Sequence, residues 1–93
     1  MGKYSISISK AAQKDLSILK RSGRKADIKK VETFFKEIES EPRDGTGQPE
    51  QLKHYDGEVW SRKVNKKDRF VYEIYEHDPS VVVVQALGHY SDK

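Results

Sequence analysis

Val81-Val82-Val83-Val84-Gln85-Ala86-Leu87 is apolar on both faces. A strand of this kind belongs inside a sheet, with a neighbour on each edge and cover on each side. Upstream, Arg69-Phe70-Val71-Tyr72-Glu73-Ile74-Tyr75 alternates. Phe70, Tyr72 and Ile74 share the face to be buried, so Arg69 and Val71 project to the other. Residues 59–64 and 52–55 also have strand character. The turns between these segments fall at Asp56-Gly57, Asn65-Lys66-Lys67-Asp68 and His77-Asp78-Pro79, and links this short favour antiparallel pairing. In residues 59–64, Trp60, Arg62 and Val64 share one face while Ser61 and Lys63 share the other. The register is open at this point, so either Lys63 or Arg62 can approach Arg69.

The N-terminal half has a different period. Tyr4, Ile6 and Ile8 alternate with Ser5, Ser7 and Ser9, which predicts a short, half-buried strand near a sheet edge. Ser9 is placed to cap a helix over residues 10–21 with Ala12, Leu16 and Leu19 on one side, and Ser22-Gly23 ends it. Ile28, Val31, Phe34, Phe35 and Ile38 then recur at helical spacing, predicting a second helix over residues 24–40 that stops at Pro42. Residues 41–49, Glu-Pro-Arg-Asp-Gly-Thr-Gly-Gln-Pro, form a loop long enough to be functional and too short to link domains. The expected fold is α+β, in β-α-α-β-β-β order, with two N-terminal helices packed on one face of a twisted, mostly antiparallel sheet.

Ninety-three residues are room for one domain, 1–93, with a thin core, since 34% of residues are apolar and 35% charged. The absence of cysteine removes disulfides, thiolate metal sites and cysteine nucleophiles. No apolar leader and no membrane-length segment is present, so a soluble, cytoplasmic protein is expected. Three scattered histidines without a metal-ligand spacing predict no zinc site, and no cofactor is implied.

Net charge is only +3, yet it is strongly patterned. Residues 10–30 carry eight basic and two acidic groups, as expected of a solvated helix face or a contact face for nucleic acid. Residues 51–70 carry six basic and three acidic groups, with Arg62, Lys63, Lys66, Lys67 and Arg69 straddling a hairpin, where a sheet can hold cations in fixed positions. Taken alone, an arginine on a sheet face is more often a salt-bridge partner than a ligand clamp. Glu50, at the junction of loop and strand, has the makings of a proton acceptor beside an anion site. His89 follows Gly88 and precedes Tyr90, an arrangement by which a strand end delivers a titratable ring into a cleft. His77 sits in a turn and is assigned no role.

Four ordered blocks join these residues: Pro49-Glu50-Gln51-Leu52-Lys53-His54, Gly57-Glu58-Val59-Trp60-Ser61-Arg62-Lys63-Val64, Asp68-Arg69-Phe70-Val71-Tyr72 and His89-Tyr90. Together they resemble the YoeB/Txe family of RelE-like toxins, and the element order is similar to the RelE fold. The resemblance implies a toxin of a type II toxin–antitoxin pair that cleaves mRNA in the ribosomal A site without metal, by attack of a ribose 2′-hydroxyl on the adjacent phosphate. It implies Glu50 as general base, His89 as general acid and Arg69 as the cation stabilising charge on the phosphate. Lys53, Lys63 and Tyr90 are the implied substrate-binding residues, and Arg62, on the same basic hairpin, is expected to join them. Lys63 stands where better-known members have Arg, and Ser91-Asp92-Lys93 follows the tyrosine that ends those members. The implied partners are the ribosome, mRNA and a Phd/YefM-type antitoxin, with a homodimer left open. The competing readings on the same scaffold are a ParE-like, non-nucleolytic toxin and a simple RNA-binding module.

Overall fold

In the computed structural model, which describes residues 3–53 and 55–88, the N-terminal Ser/Ile alternation forms β1 (Ser5–Ile8). Ser9 caps α1 (Lys10–Ser22): its Oγ accepts the Ala12 N–H at 3.1 Å, satisfying one of the amides that a helix start leaves without an internal partner. Gly23 ends α1 at φ 77°, a left-handed conformation that costs glycine little, and α2 (Lys25–Ser40) follows at once. Four strands complete the chain: β2 (Glu50–Leu52), β3 (Glu58–Lys63), β4 (Arg69–Tyr75) and β5 (Ser80–Gln85). They form one sheet in the order β1-β5-β4-β3-β2, antiparallel except for the parallel β1–β5 pair.

The α+β architecture is the one expected, with one strand more than the β-α-α-β-β-β order. That strand is β2, whose strand character the sequence places at residues 52–55 but which forms over Glu50–Leu52, where the register on β3 pairs Glu50 with Ser61 and Leu52 with Val59; Lys53 already lies in a bend. β4 takes the centre of the sheet, and β5 lies between it and β1. Both helices lie on one side, so β5 is covered unequally. Val81 and Val83 are fully buried beneath the helices, while Val82 and Val84 on the opposite face are half-buried.

The main core joins Ala12, Leu19, Val31, Phe34 and Ile38 of the helices to Phe70, Tyr72, Ile74, Val81 and Val83 of the sheet. The Phe70 ring lies 5.3 Å from those of both Phe34 and Phe35, the latter edge-on, a favoured arrangement for aromatic quadrupoles. Across the sheet, Leu52, Val59 and Val71 form a smaller apolar cluster with Val84 packed against it. Among the described residues no helix is long and apolar enough to cross a membrane.

Arg62 corrects an expectation. Proposed from the sequence as a substrate-binding cation, it is instead fully buried on the helix side, paired in register with Phe70. Its Nη1 donates to Glu37 Oε1 at 2.6 Å and to the Thr46 carbonyl at 3.2 Å, Nη2 donates to the carbonyls of Asp44 at 2.8 Å and Pro42 at 3.4 Å, and Nε donates to the Tyr72 hydroxyl at 3.0 Å. A guanidinium so occupied and so enclosed has nothing left for a phosphate. It holds the 41–49 loop instead, by three alternate carbonyls.

Glu37 grips the same loop, accepting the Thr46 N–H at 2.8 Å and its hydroxyl at 2.7 Å. Burial alone would raise the Glu37 carboxyl, but the bonds from Thr46 and Arg62 more than offset it and hold it below its ordinary value. The winding is tight enough to require glycine at position 47, where φ is 84° and a Cβ would run into the Phe34 ring. From there the Gly47 carbonyl accepts the Lys63 N–H at 2.8 Å, and the chain enters β2 with Glu50 at its head.

Candidate active site

Strand alternation sends the neighbours of Arg62 the other way. Ser61 and Lys63 lie on the face away from the helices, where Glu50 pairs with Ser61 and Lys63 pairs with Arg69. Glu50 is exposed at the edge strand, and Lys63 is exposed on β3. Glu50 is the diagonal neighbour of Lys63, a relation that sets residues about 7–8 Å apart. One carboxylate and two cations thus share an open face.

Lys63 and Arg69 in direct register break a local rule, because like charges opposite each other in an antiparallel pair destabilise it. An anion lying between them would remove the penalty, and broken local rules concentrate at functional sites. The β3–β4 turn holds Arg69 from one side. Among the described residues its side-chain hydrogen bonds all run through Nη1, to the carbonyls of Asn65 at 3.1 Å, Asp68 at 3.3 Å and Lys66 at 3.5 Å. One corner of the guanidinium is anchored, and among the described residues the Nε–Nη2 edge has no partner, which suits it to a planar, bidentate acceptor. Lys66 and Lys67, both exposed in the turn, add positive charge nearby.

The other predicted site residues fare differently. Lys53 is exposed, but the antiparallel register carries β2 from Glu50 toward the Val59 end of β3, away from Lys63 and Arg69. His89 and Tyr90 lie outside the described residues. The last described residue, Gly88, sits beside Arg69: its carbonyl accepts the Arg69 N–H at 3.0 Å.

Sequence reasoning missed Asp68. Only 5% exposed, it accepts the Gly88 N–H at 2.9 Å, Asn65 Nδ2 at 3.0 Å and Arg24 Nη1 at 3.3 Å. Burial by itself would raise its carboxyl, but those three donors together hold it below its usual value, so it stays ionised. Asn65 shapes the turn by accepting the backbone N–H groups of Lys67 at 2.9 Å and Asp68 at 2.8 Å. The Asn-x-x-Asp spacing is the local signal for that turn; no sequence signal reaches the partners at residues 24 and 88. Among the described residues no group of three or more His, Cys, Asp or Glu is placed to hold a metal ion.

Comparison with known proteins bears on the family and the fold. Residues 8–90 match the model of the YoeB-like toxins of bacterial type II toxin–antitoxin systems. The chain belongs to that family. The toxin YoeB of a Synechocystis species is 35% identical to it over 63 residues, 68% of this chain and 71% of that one. Among solved structures, a YoeB/ParE toxin from Agrobacterium tumefaciens superposes with a TM-score of 0.82 at 25% identity, over 92% of this chain and 99% of its own. The YoeB of Staphylococcus aureus, solved as a dimer and in a heterotetrameric complex with YefM, gives TM-scores of 0.78 and 0.75 at 27% identity, each over 95% of this chain and 99% of that one. The segments shared with the YoeB-like toxins thus include both the loop wound on Arg62 and the open face with Glu50, Lys63 and Arg69.

Proposed function

We propose that this YoeB-like toxin is a ribosome-dependent mRNA endoribonuclease working by general acid–base catalysis. The observation that carries the reading is the exposed face on which Glu50 lies diagonal to Lys63, and Lys63 lies opposite Arg69. Glu50 takes the proton of a ribose 2′-hydroxyl, and that oxygen attacks the adjacent phosphorus. The bond from phosphorus to the 5′-oxygen breaks as His89 gives the leaving oxygen a proton. A 2′,3′-cyclic phosphate and a 5′-hydroxyl result, and no co-reactant is consumed. Arg69 meets the charge that grows on the non-bridging oxygens, with Lys63 as a second, point-like cation. Tyr90 stacks on or orients a base, and Lys53 contacts the RNA from the bend just past the edge strand.

An open face on a 93-residue chain cannot enclose RNA. The ribosome supplies what the toxin lacks, holding the 2′-hydroxyl, phosphorus and 5′-oxygen close to in-line geometry, and orientation of that kind accounts for much of a catalysed rate. Acting on translating ribosomes, the toxin works in the cytoplasm. A Phd/YefM-type antitoxin is its partner, as YefM is for the Staphylococcus aureus YoeB, and a homodimer is a further form it takes. The test is cleavage of mRNA on programmed ribosomes by the wild type and by Glu50→Ala, Arg69→Ala and His89→Ala. Each variant is expected to lose activity by on the order of 10²-fold or more; full cleavage by all three would refute the reading.

A further inference from the structure

Gly88 is held from both sides by consecutive residues of the β3–β4 hairpin. Asp68 Oδ1 accepts its N–H at 2.9 Å, and the Arg69 N–H donates to its carbonyl at 3.0 Å. A third bond reaches the same carbonyl from Gln85 Nε2 at 3.1 Å. The backbone of Gly88 is left-handed there, at φ 93°. That carbonyl is half of the peptide group joining residue 88 to His89, so fixing it fixes where the next residue starts.

Asp68 is itself immobilised by one partner near in sequence and one distant from it. Its Oδ2 accepts from Asn65 in the turn and from Arg24 at the junction of α1 and α2. Removing a carboxylate from water is costly unless partners are well placed. Here that cost is offset by three donors, one of which is the backbone N–H of Gly88.

We propose that Asp68 is a positioning residue for the cleavage reaction, clamping the Gly88 peptide beside Arg69 so that His89 is delivered to the leaving 5′-oxygen. The inference rests on His89 being the general acid. It assigns Asp68 no contact with RNA.

A change of leaving group separates positioning from folding. An mRNA whose scissile linkage carries a bridging sulfur in place of the 5′-oxygen expels a thiolate, which needs no proton from an acid. Cleavage on programmed ribosomes is measured with the oxygen and the sulfur substrates for wild type, Asp68→Ala, Asp68→Asn and His89→Ala, with thermal unfolding of each variant alongside. On the oxygen substrate Asp68→Ala is expected to lower the rate at saturating toxin by on the order of 10²-fold. The toxin concentration giving half the maximal rate stays near that of the wild type. Asp68→Asn keeps an oxygen for the Gly88 N–H and loses about tenfold. On the sulfur substrate both losses disappear, as does that of His89→Ala.

An equal loss on the two substrates, or no loss on the oxygen one, overturns the inference. If sulfur restores His89→Ala but not the Asp68 variants, the positioning role alone is wrong. If sulfur fails to restore His89→Ala, the assignment of the acid falls and the inference goes with it. Should Asp68→Ala not fold, Asp68→Asn carries the same comparison.

Discussion

Arg69→Ala should lower mRNA cleavage on programmed ribosomes by about 10²–10³-fold, the range seen when one preorganised donor to a developing oxyanion is removed. Stability should change by no more than about 1 kcal/mol. The two halves of the expectation have one structural cause. Arg69 is half-buried, anchored through Nη1 alone among the described residues, and set in register with Lys63. Its truncation loses weak bonds to turn carbonyls but also relieves a like-charge pair, and these effects oppose each other. Arg69→Lys keeps the charge but not the planar fork, and should recover only part of the rate. Urea unfolding and a cleavage time course on the same preparations check both halves. A large stability loss with Arg69→Ala would instead make this arginine a structural residue.

Arg62→Ala should behave in the opposite way, costing about 3 kcal/mol or more of stability. For a domain of this size that is a fall in Tm of about 12 °C or more. The substitution deprives Glu37, the Tyr72 hydroxyl and the carbonyls of Pro42, Asp44 and Thr46 of their shared donor, and it removes a side chain packed 5.5 Å from the Phe34 ring centroid and 5.7 Å from that of Tyr72. Arg62→Lys should recover little, because one ammonium cannot meet acceptors spread around a planar group. Thermal and urea unfolding measure the effect, and a loss below about 1 kcal/mol would contradict the role given to Arg62. The two arginines lie on adjacent paired strands, and the face each side chain takes decides which is packed into the fold and which is left for the proposed reaction.

That division marks how far the sequence could be read. The cap at Ser9, the stop at Gly23 and the helical spacing of Val31, Phe34 and Ile38 are local signals, and the helices formed where they indicate. Alternation in residues 69–75 put Arg69 and Val71 on the face away from the helices, as the structure has them. The same alternation grouped Trp60, Arg62 and Val64, but without the register it could not say that Arg62 stands beside Phe70 in the core. A buried arginine is tolerable only with partners, and these come from Tyr72 on β4, from α2 and from the 41–49 loop, 10 to 25 residues away. Nothing local to Arg62 announces them. Asp68 was hidden for the same reason, since Arg24 and Gly88 lie 44 and 20 residues from it. The family blocks named Glu50, Lys63 and Arg69 together, while only the pairing of β2, β3 and β4 sets them on one face.

The central claim, that RNA is cut by its own 2′-hydroxyl with the toxin as acid and base, is tested most directly by the chemical ends of the fragments cut on the ribosome. The account predicts a 2′,3′-cyclic phosphate on the upstream fragment and a 5′-hydroxyl on the downstream one. A 3′-hydroxyl paired with a 5′-phosphate would mean that water, not the ribose, attacks the phosphorus, and would contradict it.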